Sequence, residues 1–254
     1  MKIRRKEMRN VKVLVACEES QRVCTEFRRL GHEAYSCDIQ KCSGGHPEWH
    51  IQDNVLPVLQ GGQFETMDRI KHYVKKWDLV IAHPPCTFLS NVTTRHLSLK
   101  RTPPEKVIDR MWSVAKAGVF FMQCYYANAD KVAVENPVGF MSTLFRKPDC
   151  IIHPYFFATS QNDLENYHKK RTCFWLRGLP PLVRTIYLPE PKPIKYSKYG
   201  KPLNFEETVC GKNRSKVRSK TFPGIARAMA EQWGGSTKKT PAPAATGNGG
   251  MGKK

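Results

Sequence analysis

The feature that most restricts the fold is a recurrent pairing of a short β-branched run with a polar loop at its end. Residues 11–16 are Val-Lys-Val-Leu-Val-Ala and lead into Cys17-Glu18-Glu19-Ser20; residues 77–82 lead into His83-Pro84-Pro85-Cys86; residues 131–134 lead into Glu135-Asn136-Pro137. Shorter runs at 34–37 and 49–51 end at Asp38 and at Gln52-Asp53-Asn54. Apolar runs of this length suit strands buried on both faces. Between them, Val23, Phe27 and Leu30 recur at helical spacing until Gly31, with Ser20 placed to cap that helix. Helices are predicted over about 64–74 and 105–127, the latter with Val107, Met111, Val114, Gly118, Phe121, Met122 and Tyr125 as one wide apolar face. Further strands are expected over 151–157 and 172–176, and a last helix over 225–233. Alternating strand and helix predict an α/β fold built on a doubly wound, mostly parallel sheet.

A formal charge of +20 creates a field that attracts polyanions and gains affinity by releasing their counterions, so nucleic acid is the first partner to consider. The charge is unevenly spread. An N-terminal arm over 1–10 carries Lys2, Arg4, Arg5, Lys6 and Arg9, and residues 184–220 hold ten Lys or Arg against three Glu. Tyr196, Tyr199 and Phe205 are interleaved there, cations for phosphates and aromatics for stacking; a solvated basic loop is the plainer alternative. No apolar run is long enough to span a bilayer, and the basic N-terminus lacks a following apolar stretch, so neither a membrane partner nor secretion is expected. Nine cysteines without regular pairing fit a reducing cytoplasm. Cys37, Cys42, His46 and His50 are ligand types zinc prefers, but only three residues separate Cys42 from His46, too few for a finger; no metal site is assigned.

Loops at the carboxyl ends of strands are where ligands bind in open α/β sheets, so Cys86 and Glu135 are expected to face one crevice. Their chemistry suits one reaction. Carbon 5 of cytosine is a poor nucleophile until a thiolate adds to carbon 6 while an acid holds ring nitrogen 3; the carbon then has enamine character and attacks an electrophilic methyl. The thiol must ionise readily, which calls for nearby positive charge or a helix N-terminus.

On the paired Pro-Pro-Cys and Glu-Asn-Pro motifs the chain resembles the DNA cytosine-5 methyltransferases, in particular the compact forms found in bacteriophages, over roughly residues 11–233. The resemblance implies a Rossmann-like fold that takes S-adenosyl-L-methionine and acts on double-stranded DNA. It makes Cys86 the nucleophile, Glu135 the residue that engages the flipped base, and Pro84 and Pro85 the turn presenting the thiol. Lys170 and Thr172 fall in the register of the family's paired arginines and join the catalytic set. The loop over 17–21 becomes the cradle of the donor's amino-acid end, with Cys17, Glu18, Ser20, Gln21 and Arg22 as contacts. Asp38, beside Ile39, becomes the ribose partner and Asp53, beside Asn54, the adenine partner. Residues 220–225, with Lys220 and Thr221, match the last motif, which folds back to complete the donor site. Ser90, Arg95, Asn136, Lys195, Lys198, Lys201, Lys212, Arg214, Lys216 and Arg218 are the expected DNA contacts.

The family's first loop is glycine-rich, whereas Glu18-Glu19-Ser20 stands here; Thr87 replaces a glutamine and Thr172 an arginine. Lys220 lies where the family has an asparagine, and with Arg22 it suits a donor carrying a carboxylate, carboxy-S-adenosyl-L-methionine, whose product is 5-carboxymethylcytosine. The domains expected are a catalytic body over 11–183, a short basic target-recognition region over 184–217, a closing helix over 218–233 and a low-complexity tail over 234–254. A phage-encoded monomer in the bacterial cytoplasm is the setting implied. Two other readings compete: a DNA amino-methyltransferase, which holds its base with an aromatic after the prolines and needs no thiol, and a non-catalytic DNA-binding protein that keeps the fold.

Overall fold

In chain order the computed structural model forms β1 (Lys12–Ala16), α1 (Arg22–Arg29), β2 (Glu33–Asp38), β3 (His50–Gln52), α2 (Val55–Val58), β4 (Gly62–Glu65), β5 (Lys71–Val74), β6 (Trp77–Ala82), α3 (Pro104–Tyr125), β7 (Ala129–Pro137), α4 (Met141–Leu144), β8 (Cys150–Ile152), β9 (Thr172–Arg177), β10 (Lys195–Tyr196), β11 (Pro202–Leu203), α5 (Phe205–Thr208), α6 (Arg214–Ser219) and α7 (Pro223–Trp233). The structure describes residues 10–212 and 214–235; the arm before Asn10 and the tail after Gly235 lie outside the described residues.

Seven strands make one sheet in the order β3-β2-β1-β6-β7-β9-β8. The pairs from β3 to β7 are parallel, and β9 runs antiparallel to both its neighbours. The expected doubly wound, mostly parallel α/β fold is what forms. Strand periodicity explains the two cores: Leu14 and Ala16 of β1 point to one face with Tyr35, Trp77, Phe121 and Trp175, while Val13 and Val15 point to the other with Phe27, Ile81, Phe157, Met229 and Trp233. Each such side chain fully buried contributes roughly 1.5–3 kcal/mol. The strand order reverses between β1 and β6, which opens the crevice between the loops that follow them.

Several expectations are corrected. Residues 64–74 are not a helix but part of the antiparallel β4–β5 hairpin. Phe64 and Val74 are buried while Gln63, Glu65 and Tyr73 are exposed, a strand's alternation; the turn is closed by Thr66 Oγ1 donating to Asp68 Oδ1 at 2.6 Å, with Arg69 at φ 70°. Ser20 does not cap α1. Gln21 holds that position, and the buried Glu18 carboxylate accepts the amides of Val23 (2.7 Å) and Cys24 (3.2 Å) instead. On α3, Val107, Val114, Gly118, Phe121 and Tyr125 are buried, but Met111 and Met122 are 59% and 38% exposed, because the apolar arc is wider than the surface the sheet covers. Of the 151–157 segment only Ile151 and Ile152 pair as strand, in β8; Pro154 ends it and Pro154–Phe157 coils into a 3-10 turn. Finally, β7 runs on to Pro137, so Glu135 lies within the sheet opposite Phe174. Among the described residues no helix is long and apolar enough to cross a membrane.

Candidate active site

The loop after β6 is fixed at many points. The His83 amide donates to Ala16 O at 2.9 Å, tying the loop to β1. Leu89 and Ser90 amides both donate to Cys86 O at 3.0 Å, Thr93 Oγ1 donates to Thr87 O at 2.8 Å, and the Phe140 amide donates to Leu89 O at 2.8 Å. Ser90 and Gly139 form an isolated antiparallel bridge. A Cβ on Gly139 would stand 1.9 Å from Leu89 O, so no other residue fits there. Asn136, buried beside Glu135, donates its Nδ2 to Pro84 O at 2.9 Å. The consequence is an exposed Cys86 held on a rigid turn over the end of β7.

Partial desolvation pushes the Cys86 thiol up, and the Glu135 charge pushes it further; Lys170 and Arg218 pull it down without prevailing. Burial alone would raise Glu135, yet its hydrogen bond to His83, the His83 charge and Lys170 together hold the carboxyl below its usual value. His83 Nδ1 lies 3.3 Å from Glu135 Oε2. The thiol is therefore protonated and the carboxyl ionised in this state.

The loop over 17–21 takes glycine-like geometry without glycine: Cys17 and Gln21 have φ of 60° and 58°. Its polar side chains divide between two tasks. Glu18 caps α1, and Gln21 is wholly buried, its Nε2 donating to His46 O at 2.8 Å and its Oε1 accepting the His46 amide at 3.1 Å. In this structure both side chains brace the loop. Glu19 was not singled out from the sequence, but both its carboxylate oxygens are buried with no hydrogen-bond partner among the described residues. The Cys17 thiol makes a hydrogen bond with the Cys124 thiol and is raised well above its ordinary value by that bond, burial and nearby acidic groups. Asp38 and Asp53 lie at adjoining strand ends, the Asp53 amide donating to Asp38 O at 3.1 Å, with Ile39 75% exposed beside them. Asn54 instead caps α2, accepting the Leu56 amide at 3.0 Å.

Residues 220–223 do return to this loop. Arg22 Nη1 donates to Thr221 O at 2.8 Å, and Lys220 Nζ reaches Ser43 Oγ at 3.4 Å, while the Ser43 amide donates to Glu19 O at 2.8 Å. Arg22, Lys220, His168, Phe205 and Phe222 line a cavity of about 580 Å³ next to it. Of the two residues expected in the arginine register, Lys170 lies by the site, its Nζ donating to Arg218 O at 3.0 Å. Thr172 is buried between β7 and β8, so its side chain does not open onto the crevice.

Among the expected DNA contacts, Arg95, Lys195, Lys198, Lys201, Lys212 and Arg214 are exposed, Ser90 is half-buried, and the Lys216 side chain lies outside the described residues. Asn136 braces the cysteine loop through its bond to Pro84 O, and Arg218 stands close enough to Cys86 to act on its thiol. Cys37, Cys42, His46 and His50 do not converge: His50 is bonded through both ring nitrogens, to Ser36 Oγ at 2.8 Å and Gln40 O at 2.9 Å, and His46 stacks on Trp49. Among the described residues no three His, Cys, Asp or Glu side chains are grouped as metal ligands.

Neither a protein-family model nor a curated protein matches the sequence. The chain is similar to the solved structure of the Entamoeba histolytica methyltransferase EhMeth, at 14% identity, over 72% of this chain and 57% of that one, with a TM-score of 0.40. It spans little more than half the length of that structure. By its own sheet order and strand directions the chain is a Rossmann-like α/β protein with a mostly parallel seven-stranded sheet.

Proposed function

We propose that the protein alkylates carbon 5 of cytosine in double-stranded DNA through a covalent Cys86 adduct. The observation that carries this reading is the rigid joining of the two loops: the Asn136 to Pro84 bond and the Ser90–Gly139 bridge hold an exposed thiol against the end of the strand that bears Glu135. Lys170 and Arg218 beside the thiol favour its ionised form. Once the thiol proton has passed to water, the Cys86 thiolate adds to carbon 6, the carbon 5–carbon 6 pair shifts to carbon 4–carbon 5, and nitrogen 3 gains a proton at the Glu135 carboxyl. After alkylation a base takes the carbon 5 proton and Cys86 leaves as thiolate. Carbon 6 is shielded in a stacked duplex, so the cytosine must be flipped out; the exposed cations from Lys195 to Arg214 and a charge of +20 suit the phosphates on either side.

An S-adenosyl-L-methionine-type donor fits the residues by the loop over 17–21. The two oxygens of buried Glu19, without a partner among the described residues, suit an ammonium group, the Asp38 and Asp53 carboxylates suit ribose and adenine donors, and exposed Ile39 offers an apolar surface for a ring. When bound, such a donor supplies an electrophilic alkyl group on a sulfonium. A second form of this reading takes carboxy-S-adenosyl-L-methionine, favoured by Arg22 and Lys220 lining one cavity near the loop. A phage-encoded monomer in a bacterial cytoplasm is the proposed setting. An amino-methyltransferase would have no use for Cys86, and a non-catalytic DNA-binding protein none for Cys86 with Glu135.

The test is to incubate duplex DNA with each donor and weigh the released nucleosides. 5-Methylcytosine or 5-carboxymethylcytosine is expected, and the donor that yields product separates the two forms. N4-methylcytosine, N6-methyladenine or unmodified DNA with both donors overturns the proposal.

A further inference from the structure

The residue before the two prolines, His83, has no part in the chemistry described so far, yet it occupies an unusual place. Its side chain is only 8% exposed, its amide is pinned to Ala16 O, and its Nδ1 lies 3.3 Å from Glu135 Oε2. Its Nε2 is buried with no hydrogen-bond partner among the described residues. On the side of the loop over 17–21 it faces Glu18, which its charge favours in the ionised form. His83 thus lies between two carboxyls, one capping α1 and one at the reacting base. The other groups that face Glu135 are Lys170, from the segment before β9, the Cys86 thiol, and Cys173 on β9.

This arrangement meets a need of the cytosine reading, on which the inference rests. Nitrogen 3 of cytosine is an acceptor and must gain a proton as the thiolate adds to carbon 6. An ionised Glu135 has none to give. An imidazole within hydrogen-bond reach of the same carboxyl can hold a proton and pass it on.

We propose that His83 is the proton reservoir of Glu135. As the Cys86 sulfur forms its bond to carbon 6, the carbon 5–carbon 6 pair shifts to carbon 4–carbon 5, and the carbon 4–nitrogen 3 pair takes the proton that His83 Nδ1 passes on through Glu135 Oε2. His83 becomes neutral and Glu135 is left ionised, as it began. When the carbon 5 proton is removed and the bond between Cys86 and carbon 6 breaks, the nitrogen 3 proton returns through Glu135 to His83, so one proton makes a closed round trip. Because His83 touches Glu135 and not the base, it is a positioning and proton-storing residue.

Two measurements test this. Exchange of the cytosine carbon 5 hydrogen with solvent needs adduct formation, protonation of carbon 5 by solvent, removal of the original proton and reversal, but no alkyl donor, and is followed across roughly pH 5–9 in wild type, His83→Gln and His83→Ala. His83→Gln keeps an amide donor for Glu135 but has no proton that titrates in this window. Wild type is expected to show an inflection that both variants lose, with exchange at neutral pH at least tenfold slower and DNA affinity unchanged. Independently of activity, nitrogen-15 spectra of the DNA-free protein follow the His83 ring, and Glu135→Gln is expected to move its titration to lower pH by removing the anionic partner. An unaltered exchange profile in His83→Gln, or a His83 titration unmoved by Glu135→Gln, overturns the proposal alone. A wild type that neither exchanges carbon 5 hydrogen nor forms a covalent complex overturns the cytosine reading and this inference together.

Discussion

The side-chain amide of Asn136 donates to the carbonyl oxygen of Pro84 at 2.9 Å, and this one bond ties the strand bearing Glu135 to the turn bearing Cys86. Both partners are buried, so removing the donor leaves a carbonyl without its partner, which costs about 1–3 kcal/mol. Asn136→Ala should lower the denaturation midpoint accordingly and slow adduct formation by at least tenfold, read as the rate of covalent trapping. Overall DNA affinity, set by exposed cations, should hardly change.

Gly139 meets Leu89 O so closely that a methyl group would lie 1.9 Å from it. Gly139→Ala must push the loop over 83–90 away from β7, and the cost should be several kcal/mol by the measure of overpacked sites. Urea denaturation checks the stability loss. Trapping on DNA should fall further than stability explains, because the displaced loop carries the thiol.

Glu18 offers a pH signature of the fold itself. Burial raises its pKa to about 7 from an ordinary 4.5, with the His83 charge and the Val23 and Cys24 amides offsetting part of the rise. A carboxyl raised in the folded state supports the fold fully below its unfolded value, and that support is lost as pH rises through about 7. Glu18→Gln should therefore gain on wild type by about 3 kcal/mol between pH 4 and pH 8. Denaturation midpoints measured across that range check the sign; a difference that is flat, or that shrinks with pH, contradicts it.

For the basic region, Lys195, Lys198 and Lys201 are exposed on or beside the β10–β11 hairpin. If they contact phosphates, each alanine substitution should weaken binding to all DNA sequences alike and reduce the slope of log affinity against log salt by about one. Fluorescence anisotropy on two unrelated duplexes over a salt series reads both effects.

The sheet was legible because β1, β6 and β7 are buried on both faces and so keep unbroken apolar runs. The β4–β5 hairpin was not: Phe64 and Val74 at its two ends, with polar residues between, fit one face of a helix as well as two short strands, and only pairing distinguishes them. Cys86 and Glu135 stood out as a pair, in Pro-Pro-Cys and Glu-Asn-Pro motifs that each follow an apolar run with one long helix between them. Of Glu18 and Glu19, adjacent and chemically alike, sequence gives no sign of which turns inward to cap α1 and which is left without a partner. Asn136 reads as a contact for DNA until its long-range bond to Pro84 is visible. His83, though part of the cysteine loop, shows no role in the sequence, since nothing local links it to a carboxyl far along the chain.

The most direct measurement is covalent trapping on duplex DNA containing 5-fluorocytosine, in the presence of donor. Fluorine at carbon 5 leaves no proton for the base to remove, so an enzyme that alkylates this carbon stays bonded through Cys86. Wild type should give a complex that survives denaturation, and Cys86→Ala should give none. A wild type that never crosslinks, or a Cys86→Ala variant that crosslinks equally, contradicts covalent cytosine chemistry at this site.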